Sequence, residues 1–293
     1  MVALTVVSHE RKLGRKQRQK LQAALVEAGL GDVPWRGVGK ARKAEQAARE
    51  AVADGAEVVL VCGGDGTVRA GAAGVVDTGA ALAVLPAGTA NLFATALELP
   101  TDPVEIVAAI TAGARPVIDT GVCNDQTFTV MAGTGFDAAM VDDADARKER
   151  LGVAAYFRAA VGNARHRQPV PMTVTVDGET FFEGEATCVL VGNLGTLTSG
   201  LQAFPDASPT DGVLDVAVIT ARGLRDWADV LWRMVRHQQH RSGHAHMTQG
   251  GEIAVDMKGK HRMELDGGAK GTTDALHITV RPQSLRLCVP ADS

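Results

Sequence analysis

Aromatic residues make up only 4% of this 293-residue chain, with a single tyrosine. A core so poor in rings must be built from Val, Ala and Leu, and 33 glycines supply many tight turns, a texture that suits an α/β protein. Cysteine is scarce: Cys62, Cys123, Cys188 and Cys288 lie far apart and form no CxxC pair, which argues against a metal or redox motif. Positive charge is not in excess. Lys and Arg total 30 against 34 Asp and Glu, a net charge of −4, so no global basic field recommends nucleic acid as a partner. Long apolar runs are missing too: the uncharged stretch 79–97 is broken by Pro86 and Gly88, and reads as a buried strand, turn and helix rather than a transmembrane segment. The first seven residues, Met1-Val-Ala-Leu-Thr-Val-Val, are apolar but for Thr5, and the chain turns basic only at Arg11, the wrong charge order for a signal peptide, so they read as a first strand. What remains, 45% apolar and 22% charged residues, excludes disordered, collagen-like and disulfide-scaffold classes.

The first hundred residues alternate strand-like and helix-like segments. Strands are expected over 4–7 and 58–62 and helices over 15–28, 41–53 and 67–76, the pattern of a parallel, doubly wound sheet. From about Val117 the texture changes to short β runs over 117–122, 127–131, 172–176, 180–183, 187–191, 214–219, 252–255 and 276–280, with one helix over 225–238. The second half is therefore β-rich, and Asp177-Gly178 marks a hairpin turn. The expected fold is an amino-terminal doubly wound α/β domain over 1–118, followed by a β-sandwich-like domain over 119–293 whose last strand has scope to pack back on the first domain.

The sharpest chemical signal is Val58-Val-Leu-Val-Cys-Gly63-Gly64-Asp65-Gly66-Thr67, a buried strand running into a glycine-rich turn and a helix. Glycines let the backbone approach phosphate oxygens, the first N–H groups of a helix donate to them, and the helix dipole favours the anion. Asp65 is placed to serve Mg²⁺, a hard cation that takes carboxylate oxygen. The Walker pattern is absent, and Arg69 stands where a dinucleotide fingerprint needs its last glycine.

With Leu85-Pro-Ala-Gly88-Thr89-Ala-Asn91-Leu-Phe-Ala further on, the chain resembles the superfamily of diacylglycerol kinases, sphingosine kinases and NAD kinases, in its lipid-kinase branch. Ala132-Gly-Thr-Gly-Phe-Asp137, Lys148-Glu-Arg-Leu-Gly152 leading to Tyr156, Pro205-Asp-Ala-Ser-Pro-Thr-Asp211-Gly-Val-Leu-Asp215 and Glu264-Leu-Asp266-Gly267 extend the resemblance over nearly the whole chain. It implies an ATP- and Mg²⁺-dependent kinase that phosphorylates a lipid hydroxyl, diacylglycerol or a related glycerolipid, in a cleft between a nucleotide domain and a lipid domain. By position, Gly63, Gly64, Asp65, Gly66, Thr67, Gly88, Thr89 and Asn91 would line the nucleotide and Asp65 would serve the catalytic magnesium. Asp211, with neighbouring carbonyls, would match a structural magnesium loop, and Lys148 a phosphate or head-group contact. A cytoplasmic protein visiting the membrane surface follows, and a homodimer by frequency alone.

The chain also departs from the pattern. Family kinases end the site with Asp-Gly-Glu, whose glutamate is the general base, whereas here Asp266-Gly267 is followed by Gly268. Asp266 and Glu264, two apart on a strand and so on one face, are the expected substitutes. Leu92 follows Asn91 where relatives carry aspartate, and Ser8-His9 replaces an Asn-Pro. Two alternatives stay open: a kinase of a soluble acceptor such as NAD, and a nucleotide- or lipid-binding regulator weakened in catalysis. The histidines His237, His240, His244 and His246 read as a weak metal signal, and Asp142, Asp143, Asp145 and Glu149 as a solvated turn. The mixture of Arg233, Arg236 and Arg241 with Trp227 and Trp232 is compatible with an anionic membrane surface, core packing being the simpler reading for the tryptophans.

Overall fold

The computed structural model describes residues 2–112, 114–135, 168–198, 201–236 and 242–291. Two compact units divide the chain, Met1–Thr120 with Pro282–Ser293, and Gly121–Arg281.

In the first unit, β1 (Leu4–His9), β2 (Trp35–Val38), β3 (Val58–Gly63) and β4 (Ala81–Pro86) form a parallel sheet in the order β2-β1-β3-β4. The helices are α1 (Arg15–Glu27), α2 (Ala44–Ala53), α3 (Asp65–Val75), α4 (Leu92–Ala96) and α5 (Pro103–Ala112). β3 is apolar at nearly every position because both its faces are covered. Val58, Leu60 and Cys62 join Leu21 and Leu25 of α1 and Ile106 and Ile110 of α5 in one core. Val59 and Val61, both fully buried, face the other side, where α3 comes so close that a Cβ on Gly71 would lie 2.5 Å from the Val61 side chain. Helices on both faces make this a doubly wound sheet. Burial pushes the Cys62 thiol well up, and those of Cys123 and Cys288 to about 12 and about 11, so these cysteines are packing residues. The short edge strand β2 and the helix α5 were not legible in the sequence pattern. β2 is only four residues long and half-exposed, and α5 is apolar nearly all round.

The chain passes into the second unit through β5 (Val117–Cys123), followed by β6 (Gln126–Phe128), β7 (Met131–Thr134), β8 (Val170–Val176), β9 (Glu179–Ala186), β10 (Cys188–Gly192), the small pair β11 (Thr196–Thr198) and β12 (Leu201–Gln202), and β13 (Leu214–Ile219). After α6 (Leu224–Val235) come β14 (Ala245–Gly250), β15 (Glu252–Leu265) and β16 (Gly268–Leu287). β15 serves two groups of strands. Its first half pairs with β8, Ile253 opposite Val176, and its end pairs with β7, Leu265 opposite Ala132. The register breaks between Asp256 and His261, with Gly259 at φ 85, the kind of bulge that turns a strand from one layer to another. Val174, Ile253 and Ile278 then pack against Val189, Val216 and Leu265 in one core, giving the expected β-sandwich-like layering. The hairpin turn Asp177-Gly178 has both residues at positive φ, 50 and 84, as a two-residue turn with right-handed strand twist requires. The end of β16 returns to the first unit, where Arg286 and Leu287 pair in parallel with Ala81 and Leu82 of β4.

Candidate active site

The turns that follow β1, β2, β3 and β4 all lie at the carboxyl edge of the parallel sheet, where open α/β sheets bind ligands. Two of them are fused into one structure. Gly63 ends β3 and its carbonyl accepts the N–H of Ala87 at 2.8 Å, while the Gly64 carbonyl accepts those of Thr67 (2.8 Å) and Val68 (3.0 Å) to start α3. Asp65 is the first residue of α3, where a carboxylate complements the helix dipole. Its Oδ2 accepts the backbone N–H of Asn91 at 3.0 Å. Asn91 in turn sits in the left-handed region at φ 49, which asparagine tolerates better than most residues. Its amide reads both backbone groups of Gly88, Oδ1 accepting the N–H (2.8 Å) and Nδ2 donating to the carbonyl (3.1 Å).

The glycines divide by purpose. A Cβ on Gly88 would lie 2.6 Å from the Gly64 Cα, one on Gly64 3.0 Å from the Gly88 Cα, and one on Gly63 2.6 Å from the Thr67 side chain. Those three are required by packing of one turn on the other. Gly66 is exposed, and a Cβ there would meet only the Ala41 methyl at an ordinary 3.7 Å. Packing therefore does not require a glycine there. Thr67, expected to line the nucleotide, is 2% exposed and its side chain packs under Gly63, where it supports the turn. Thr89 is exposed and Asp65 half-buried beside it in the fused pair of turns. Sequence reading passed over Lys40, Arg42 and Lys43, which looked like an ordinary helix start. They are exposed and flank the Ala41 that adjoins Gly66, and only the parallel register of β2 reveals that placement.

In the second unit the two expected base substitutes do not share a strand face. β15 ends at Leu265, and Asp266 and Gly267 form a two-residue turn at φ 47 and 73. The Asp266 carboxylate, 4% exposed, accepts the N–H groups of Thr129 (3.0 Å), Val130 (2.8 Å) and Met131 (3.0 Å) and the Thr129 hydroxyl (3.0 Å). A carboxylate holding four donors ties the β6–β7 connection to the β15–β16 turn, and its lone pairs are spent on that task. Asn193, 1% exposed, extends the network by donating Nδ2 to the Thr129 carbonyl at 3.0 Å. Glu264 is buried in β15 opposite Gly133 of β7 and Ala269 of β16, on the side of the strand away from the core residues Met263 and Leu265.

Asp211 is exposed, and its Oδ1 accepts the Val213 N–H at 3.2 Å. Burial pushes the nearby Asp215 carboxyl above the usual range and the charges of Asp211 and Asp206 add to that, while a hydrogen bond from Gln249 opposes it. Among the described residues no three His, Cys, Asp or Glu side chains converge as a metal site. His244 lies 3.6 Å from Asp226 and the His246 ring meets that of Phe182 in a tilted contact, while Lys148, the 142–149 acidic turn, Tyr156, His237, His240 and Arg241 lie outside the described residues.

A doubly wound unit with paired glycine turns at its carboxyl edge, followed by a β-sandwich-like unit, is a fold also seen in solved diacylglycerol kinase and NAD kinase structures. The sequence matches the family described as "Diacylglycerol kinase catalytic domain" over residues 6–123 and "YegS C-terminal NAD kinase beta sandwich-like domain" over residues 130–289. It is 30% identical to a diacylglycerol kinase of Bacillus subtilis, over 76% of this chain and 75% of that one. It is 36% identical to a YegS-like lipid kinase, so described as probable, of Pseudomonas putida, over 62% of each. A solved diacylglycerol kinase structure from Bacillus anthracis superposes with a TM-score of 0.73 at 19% identity, covering 99% of this chain and 97% of that one. The chain spans 59% and 62% of the lengths of the first curated relatives it matches. The protein belongs to the diacylglycerol kinase and YegS-like lipid kinase family.

Proposed function

We propose that the protein is an ATP- and Mg²⁺-dependent lipid kinase that transfers the γ-phosphate to a hydroxyl of diacylglycerol or a related glycerolipid. The observation that carries this reading is the chain from Asp65 through Asn91 to Gly88, which locks two glycine turns together and leaves the Gly66 backbone open at a helix start. The polyphosphate would lie against Gly64, Gly66, Gly88 and Thr89, with Lys40, Arg42 and Lys43 drawing it in. The residues fit Mg²⁺, which binds through one or two carboxylates plus substrate phosphates, with Asp65 as the carboxylate. Magnesium supplies charge neutralisation on the phosphates. Phosphoryl transfer depends mainly on such positioning and charge stabilisation, which this unit offers without a dedicated base.

The test is transfer of labelled γ-phosphate from ATP, with Mg²⁺, to a panel of lipids in mixed micelles, beside NAD and a no-acceptor control. Label in one lipid supports the reading and names the acceptor, and label in NAD alone overturns it. Gly66→Ala separates access from stability. It should leave the unfolding free energy within about 1 kcal/mol yet weaken ATP binding by about tenfold, or roughly 1.4 kcal/mol, as read by calorimetry. Gly88→Ala, forced against Gly64, should instead lower stability by about 1–3 kcal/mol.

Gly268 favours a second reading, a regulator weakened in catalysis. A Cβ at 268 would meet the Leu265 carbonyl at 3.5 Å and the Lys270 Cε at 4.0 Å, ordinary van der Waals contacts. Gly268→Glu should raise kcat on lipid by about 10²-fold, within the range of general-base contributions. An inert parent that binds ATP and gains transfer only with this substitution would establish the regulator.

A further inference from the structure

The two faces of α6 differ sharply. Inward, Trp227, Val230, Leu231 and Met234 follow the i, i+3, i+4, i+7 spacing and are at most 3% exposed. Outward, Arg225, Ala228, Trp232 and Arg236 form the opposite stripe, with both arginines exposed. Trp232 is 54% exposed, one of three large apolar side chains so placed among the described residues, and the Arg236 guanidinium lies over its ring at 4.5 Å. The helix's acidic groups are turned to other tasks. Asp229 accepts Arg233 Nε (2.7 Å) and Ser242 Oγ (2.8 Å). Asp226 accepts the Arg222 N–H (3.0 Å) and faces His244. Asp226 and Asp229 keep 31% and 34% of their side chains exposed, whereas Arg225 and Arg236 stand among the exposed residues of the helix.

We propose that this stripe is the surface by which the protein rests on an anionic bilayer, Trp232 entering the headgroup region while Arg225 and Arg236 meet lipid phosphates. An indole flanked by guanidinium groups is amphipathic in the way a membrane interface selects. From residue 225 to 236 the stripe runs about 16 Å along the helix, long enough to lie in the plane of the headgroups. Charge complementarity favours the bilayer. A chain of net charge −4 is repelled by an anionic surface unless a local cationic patch faces it. The inference rests on the reading that the acceptor is a bilayer lipid, since it gives that enzyme a way to reach its substrate.

The experiment measures binding of the full chain to phosphatidylcholine vesicles with and without phosphatidylglycerol, by sedimentation and by tryptophan emission. The expected result is binding that requires phosphatidylglycerol and weakens with salt, with a blue shift that disappears in Trp232→Phe. Each arginine is worth roughly fivefold in partitioning, so Arg225→Glu/Arg236→Glu should lose at least tenfold, its melting temperature unchanged. Transfer to a water-soluble short-chain diacylglycerol should match wild type while transfer to vesicle lipid falls. The proposal is overturned by unaltered vesicle binding of the double variant, or by Trp232 remaining open to aqueous iodide at saturating vesicles. If no lipid is phosphorylated yet the double variant loses vesicle binding, docking stands and the lipid-kinase reading falls. If the soluble lipid is phosphorylated and binding is unaltered, the reverse holds.

Discussion

Asp65→Asn should lower kcat for phosphoryl transfer by about 10²- to 10³-fold, the usual cost of removing one preorganised electrostatic group, while the protein stays folded. Asparagine keeps an oxygen at the position that accepts the Asn91 N–H, so the two glycine turns remain joined. What it removes is the negative charge. At a helix start that charge contributes only about 0.3–1 kcal/mol to stability, so the unfolding midpoint should move little. The activity loss should not be recovered by raising Mg²⁺, because the carboxylate that would hold the ion is gone. Asp65→Ala removes the acceptor as well and should cost a further ~1–2 kcal/mol of stability. The pair is read by steady-state kinetics across a magnesium titration, beside thermal unfolding. Unchanged turnover in Asp65→Asn would sink the assignment of Asp65 to the metal.

The largest expected effect on stability is at Asp266. Asp266→Ala strips the acceptor from three backbone N–H groups and a hydroxyl, all at 2.8–3.0 Å. Each buried donor left unsatisfied costs about 1–3 kcal/mol, and a total near ~4 kcal/mol corresponds to roughly 10 °C in melting temperature for a domain of this size. Asp266→Asn should lose about half as much, since its Nδ2 must point at a group that also donates. The contrast with a general base is direct. A base lost to asparagine would lower kcat and leave the melting temperature unchanged, whereas a structural carboxylate lost to asparagine lowers the melting temperature and leaves kcat, measured well below it, largely intact.

These two aspartates show what kind of fact each level of description holds. The place of Asp65 was legible because it is local: a strand, a glycine turn and a helix start follow from consecutive residues. Asn91 was legible as part of a motif, but its work was not, since the hydrogen bond to Asp65 joins residues from two separate turns that meet only when β3 and β4 pair. Asp266 misled for the same reason. Its spacing from Glu264 predicts one strand face, yet the two-residue turn begins at Asp266, and a positive φ swings the carboxylate back over residues 129–131. Thr67 was expected to line the nucleotide by its place in the motif, and its side chain is buried because the Gly63 turn closes over it.

By itself the sequence determined the class of fold, the phosphate-type turn, the lipid-kinase family and the missing glutamate at 268, because strand and helix periods and glycine turns are set by near neighbours. The tertiary structure decided which glycines are required by packing and which stand exposed, which carboxylate is bound up in backbone N–H groups, and which tryptophan of α6 faces outward. Those outcomes depend on groups far apart in the chain competing for the same space and the same hydrogen bonds, and only the folded packing resolves that competition.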